Sequence, residues 1–139
     1  MASTYQLFPA KIVTPEGVLF DGEVRELEVT SVSGGLGILA RRAPIVADLK
    51  LGRVRAELED GTWLTWATEE GFAKASQSTA TVVVEDAIKL EDIDPAAAAS
   101  IVSDGTARLD AANDESETRS AKRAIAWGEH LIALRDMGA

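Results

Sequence analysis

From Tyr5 to about Leu90 this chain alternates polar and apolar residues with a period near two, and Gly17, Gly22, Gly34, Gly52, Gly61 and Gly71 interrupt the alternation at strand-length intervals. A period of two sends successive side chains to opposite faces of an extended backbone. Val54, Ala56 and Leu58 therefore share an inward face. Asp60-Gly61 supplies a hairpin turn, because both residues tolerate positive φ. The return strand, Thr62 to Thr68, puts Trp63 and Trp66 on opposite faces, one for the core and one for an interface or edge. Val24 faces inward, and Leu27 and Val29 follow it after a local irregularity. Thr79 to Val84 is a further β-branched run. Many short strands with regular glycine turns predict a β-sandwich or flattened barrel.

The texture changes at Asp94-Pro95. Asp94 suits a helix N-cap and Pro95 the first helical position. Ala96 to Ala99 are strong helix formers, while Gly105 interrupts and makes this first helix easier to break. Asn113 to Glu115 is a polar break, and a second helix follows from about Ser116 to Asp136. Ser116-Glu117-Thr118-Arg119 lacks a full capping box, although Glu115 and Glu117 suit the positive helix end. Ala124, Trp127, Leu131 and Leu134 recur at helical spacing, with Ile125 and Ile132 widening the stripe. The expected architecture is a β-sandwich over 1–90 followed by an antiparallel two-helix hairpin over 91–139.

Residues 34–52 stand out for backbone chemistry. Glycines able to take positive φ alternate with large aliphatics, an Ala43-Pro44 corner follows, and a second aliphatic run closes at Gly52. The pattern predicts a tight turn that buries Leu36, Ile38 and Leu39 and presents a polar loop to something large.

Reactive groups are sparse. The chain has no cysteine, so it forms no disulfide and uses no thiolate chemistry. Its one histidine, His130, lies beside the apolar stripe of the second helix, which reads as packing or solvent exposure. A metal site would rest mainly on carboxylates, so none is expected. Glu69-Glu70, Glu85-Asp86 and Glu91-Asp92 are neighbours in sequence, and in a strand neighbours point apart. Gly34-Gly35-Leu36-Gly37 lacks the Lys-Ser/Thr of a phosphate loop, and no serine sits in a Gly-x-Ser-x-Gly elbow. A net charge of −9 argues against nucleic acid and against direct adsorption to anionic lipid. Without a signal peptide or a spanning segment, the expectation is a soluble cytoplasmic protein that is not an enzyme and binds no cofactor.

An ordered set of segments then carries a resemblance. The segments are Val13-Thr14-Pro15-Glu16-Gly17, Leu19-Phe20-Asp21-Gly22-Glu23-Val24, Gly34-Gly35-Leu36-Gly37-Ile38-Leu39, Ala43-Pro44 and Leu49-Lys50-Leu51-Gly52. Together they resemble the epsilon subunit of bacterial F-type ATP synthases, the counterpart of the mitochondrial delta subunit. Gly71-Phe72 and Thr81-Val82-Val83-Val84-Glu85-Asp86-Ala87 are similar to the family's later strands. The resemblance covers nearly the whole chain. No single motif is diagnostic, but the ordered set at this spacing is specific.

The resemblance implies a sandwich of about ten strands and two antiparallel helices. It implies a rotor part without bond chemistry, whose sandwich binds the gamma subunit and rests on the membrane c-ring. The implied location is peripheral, at the cytoplasmic face of the inner membrane. The helices would reach the alpha and beta subunits in an extended state and inhibit ATP hydrolysis, which makes the hairpin a two-state element. The implied c-ring contact comprises Ser33, Gly34, Gly35, Leu36, Arg41, Arg42 and Pro44, and the implied inhibitory contact Arg119, Lys122 and Arg123. This chain departs from the family where Gly35 replaces a glutamate and Arg42 a histidine. In the ATP-binding motif opening the first helix, Ala97 replaces the arginine, so the cation that would hold phosphate is missing. A generic β-sandwich interaction module with a helical tail is the alternative expectation.

Overall fold

The computed structural model describes residues 6–138, so Tyr5, where the period-two pattern begins, lies outside the described residues. Ten strands form one hydrogen-bonded sheet: β1 (Phe8–Thr14), β2 (Gly17–Val24), β3 (Glu26–Ser31), β4 (Gly34–Ile38), β5 (Ile45–Leu49), β6 (Gly52–Glu57), β7 (Trp63–Thr68), β8 (Gly71–Ala75), β9 (Ala80–Val84) and β10 (Ala87–Lys89). Their order is β10-β7-β6-β3-β5-β8-β9-β1-β2, with β4 on β3 off this path. Alternate residues supply the core: Phe8, Ala10 and Ile12 from β1, Leu27 and Val29 from β3, Val54 and Ala56 from β6, and Val82 and Val84 from β9. Trp66 is buried edge-on against Phe20, with ring centroids 5.5 Å apart. Trp63 lies on the other face, under the Arg55 guanidinium at 4.3 Å.

Strand β3 is the corner of the sandwich. It pairs with β4 along most of its length, with β6 through Glu26–Glu28, and with β5 at Ser31. Between the last two, the Thr30 hydroxyl replaces a backbone rung. It donates to Arg53 O and accepts from Arg53 N, both at 3.1 Å. Gly52 makes room for this exchange, since a β-carbon there would stand 2.5 Å from Thr30 Cβ. A second close approach lies at Gly71, where a β-carbon would fall 1.9 Å from Val83 O.

The structure corrects several local expectations. Leu39 is exposed, and Leu36 is only partly buried against the core. Of the glycines in 34–52 only Gly34 has positive φ, while Arg41 adopts φ 62. At the β6–β7 hairpin Gly61 has positive φ and Asp60 does not. Asp60 instead accepts from Thr62 N through its side chain.

The chain divides between Ile88 and Lys89 into two compact units. The second holds a 3₁₀ turn (Leu90–Asp92), α1 (Pro95–Asp110) and α2 (Glu115–Met137). Asp94 caps α1 by accepting from Ala96 N at 3.0 Å. α2 begins at Glu115, one residue before the expected Ser116, with Asp114 as its N-cap. Asp114 accepts from Glu117 N, and the Glu117 side chain reaches back to accept from Asn113 N. Trp127, Leu131 and Leu134 are buried as the stripe predicts, but Ala121 and Gly128 belong to it as well. α1 runs unbroken through Gly105, which is buried.

Gly71→Ala is expected to lower stability by at least the upper part of the range of about 1–3 kcal/mol typical of overpacking. Urea denaturation measures it, and a stability equal to the parent's would show that β9 yields freely.

Candidate functional site

β3 and β4 meet in a hairpin with Val32 and Ser33 at its tip. The Ser31 hydroxyl fixes the turn by donating to Gly34 O at 2.6 Å and accepting from Ser33 N at 3.2 Å. Val32 is exposed on this tip, a position that sequence reasoning misses. From the tip, β4 runs through Gly35, Leu36 and Gly37, and among the described strands it pairs with β3 alone. Arg42 returns to this strand, and its Nη1 donates to Gly37 O. Arg42 Nε is buried without a partner. Arg41 turns elsewhere, with its N–H on Gln77 O at 3.0 Å, in the turn between β8 and β9.

The seven residues of the implied c-ring contact therefore do not converge on one point. Ser33 and Gly34 occupy the hairpin tip, and Gly35 and Leu36 follow along β4. Arg42 lies beside Gly37, and Arg41 and Pro44 sit in the loop beyond the strand. Gly34 and Ile38 are roughly 13 Å apart at the rise of an extended strand. Leu36 faces the core side and contributes packing.

The outer face beside β4 is charged. Glu26, Glu28, Thr30, Arg53 and Arg55 surround a groove of about 300 Å³ floored by Gly35 and Gly37. Arg55 pairs with Glu28 at 3.1 Å, and Arg25 lies 3.8 Å from Glu57. Burial pushes the Glu26 carboxyl above its ordinary pKa, and the Glu28 and Glu57 carboxylates push it further.

The opposite layer carries a feature outside the sequence reading. Asp48, Phe72, Val83, Val13 and Val18 are consecutive partners across β5, β8, β9, β1 and β2. Phe72 and Val18 are exposed, as is Val46 one pleat along β5. The signal lies in Ile12-Val13 and Val82-Val83-Val84, where unbroken apolar runs mark strands covered on both faces.

In the second unit, Arg119, Lys122 and Arg123 are exposed at helical spacing on one side of α2. Ala97 is exposed, and the Asp94 carboxylate is engaged as a cap. His130 is partly buried, its ring 6.2 Å from that of Trp127. In the first unit the backbone joins Glu69 to Asp86 and Glu85 to Glu70, and burial raises the Asp86 pKa. Among the described residues no group of three or more His, Cys, Asp or Glu could hold a metal ion, and no helix is long and apolar enough to cross a membrane.

These features define a β-sandwich domain with exposed faces of contrasting chemistry and an appended helical hairpin. The family model described as ATP synthase, Delta/Epsilon chain, beta-sandwich domain matches residues 7–90. The chloroplastic ATP synthase epsilon chain of Morus indica is 37% identical over 114 residues, covering 82% of this chain and 85% of its own length. That of Helianthus annuus is 36% identical with the same coverage. Among solved structures, a chain of the Euglena gracilis mitochondrial ATP synthase (OSCP/F1/c-ring, rotational state 1) is similar at TM-score 0.74 and 20% identity, covering 95% of this chain and 83% of that one. A chain of the Tetrahymena thermophila mitochondrial ATP synthase central stalk and c-ring gives TM-score 0.58 at 11% identity, covering 96% and 99%. The two structures share the fold. The chain belongs to the ATP synthase delta/epsilon family.

A raised carboxyl pKa in the folded state means that Glu26 stabilises the fold below the ordinary carboxylate range and that this stability is lost as pH rises through the folded pKa. Glu26→Gln is expected to raise the urea midpoint at pH 7, with the advantage shrinking toward pH 4. A parallel pH profile for the variant and the parent would exclude the penalty.

Proposed function

We propose that this chain is the epsilon subunit of an F-type ATP synthase, a non-catalytic part of the central stalk that couples c-ring rotation to ATP synthesis. Family membership carries this reading. The sandwich over 1–90 grips the gamma subunit and rests on the c-ring, and the hairpin over 91–139 regulates. The complex lies on the membrane, and the sequence resemblance favours the cytoplasmic face of a bacterial inner membrane.

The apolar row through Phe72, Val83, Val13 and Val18 supports a gamma-docking face. Burying exposed apolar side chains on a flat sheet is the main favourable term in association. Val46→Asp combined with Phe72→Asp is expected to weaken binding to gamma at least tenfold, as read by titration of the purified subunits. Unchanged affinity would move the interface to another face.

Arg41 and Arg42 support a c-ring contact of positive charge on an otherwise acidic chain, with its counterpart an acidic loop of the ring. Charge reversal at both positions is expected to reduce assembly of the rotor and ATP-driven proton pumping in membranes. Full coupling in Arg41→Glu/Arg42→Glu would exclude this contact. Arg119, Lys122 and Arg123 are the candidates for an inhibitory contact with the alpha and beta subunits in the extended state of the hairpin.

A further inference from the structure

Each helix of the hairpin carries a glycine in its interior, and both glycines lie where the helices touch. Gly105 and Gly128 are buried. A β-carbon at Gly105 would stand 2.8 Å from Ile125 Cγ1, 3.2 Å from Ile125 N and 3.4 Å from Ala121 O. One at Gly128 would stand 2.7 Å from Val102 Cγ2, 3.0 Å from Ala98 O and 3.1 Å from Ile101 Cγ2. Ordinary carbon contacts fall at about 3.5–4.0 Å, so neither position holds a methyl group without movement. Each glycine thus faces a backbone carbonyl of the opposite helix. The residues that own those carbonyls, Ala98 and Ala121, are also small and buried.

Glycine is a poor residue for a helix interior. In the closed hairpin its lack of a side chain is offset by the close approach it permits. Once the helices part, the contact is gone and the poor propensity remains. The propensity cost is carried by closed and separated helices alike, so closure is favoured by the contact alone. We infer that Gly105 and Gly128 form a backbone clasp that biases the hairpin toward its closed state, and that the clasp thereby sets how often the regulatory helices are released. The regulatory half of this inference rests on the function proposed above, whereas the clasp itself rests on the geometry.

Hydrogen exchange on the full chain tests the clasp through the sign of the effect. The variants are Gly105→Ala, Gly128→Ala and their combination, with Ala107→Gly at an exposed site of α1 as the control. Helix propensity alone makes exchange slower in the glycine variants and faster in the control. The clasp makes exchange in α1 and α2 faster in the glycine variants, by about tenfold or more given the usual cost of overpacking. Strand amides serve as the internal reference for an intact sandwich. Slower or unchanged helix exchange in both single variants would overturn the clasp. In the assembled complex the double variant is expected to lower ATP hydrolysis. Faster exchange with unchanged hydrolysis would uphold the clasp and overturn its regulatory role.

Discussion

The sandwich depends on β3 and its pairing on both edges. One strand serves three partners, and the handover from β6 to β5 leaves a gap in the ladder at Thr30. A hydroxyl that both donates and accepts fills it, because Thr30 meets Arg53 N and Arg53 O at once. Two backbone groups that would otherwise go unpaired near the core are satisfied by a single side chain. Gly52 is part of the same arrangement, since any side chain there would displace the hydroxyl. The corner lets β5 turn away toward β8 and carry the sheet into its second layer.

Glycine recurs as the residue that lets backbones meet. Gly71 admits β9, Gly52 admits Thr30, and Gly105 and Gly128 admit the opposite helix. None of these four has positive φ, so the requirement is space rather than torsion. Along β4 the same lack of side chains has a different consequence. Gly35 and Gly37 leave a bare strand edge, and Arg42 covers one of its carbonyls. An edge strand with free polar groups invites pairing with other chains, and a charged side chain lying on it is a common safeguard.

Much of this is legible in the sequence. The period of two locates the strands, Asp94-Pro95 marks the helix start, and the alternation puts Trp63 and Trp66 on opposite faces, although only the packing against Phe20 makes Trp66 the core one. Turn chemistry is less legible, because propensity names the residues able to adopt positive φ and not those made to adopt it. Gly61 takes it and Asp60 does not, while Arg41 takes it although no propensity favours arginine there. The α2 cap hides in the polar break, although the spacing of Asp114 to Glu117 fits a capping box. Gly105 looks like a weakness because its partner contact is tertiary, and no local pattern reports the distance to Ile125. The candidate site is legible as a segment but not as a surface. Sequence order groups residues 33–44, whereas the strand between them spreads the glycines and arginines along an edge.

The two outer faces of the sandwich differ in what they offer a partner. Beside β4, the charges are largely matched within the chain: Glu28 with Arg55, and Glu57 with Arg25. These partly buried pairs already occupy one another's charges, so a partner must displace water and existing contacts to use them. The row through Phe72, Val83, Val13 and Val18 is made of apolar side chains that give up no ion pair, and the stabilisation from covering them grows with the area covered. A lasting attachment is therefore better served by the apolar layer, and a contact adjusted by charge by the β4 side. Separating the two on opposite layers lets one domain hold a fixed partner while its other face meets a different one.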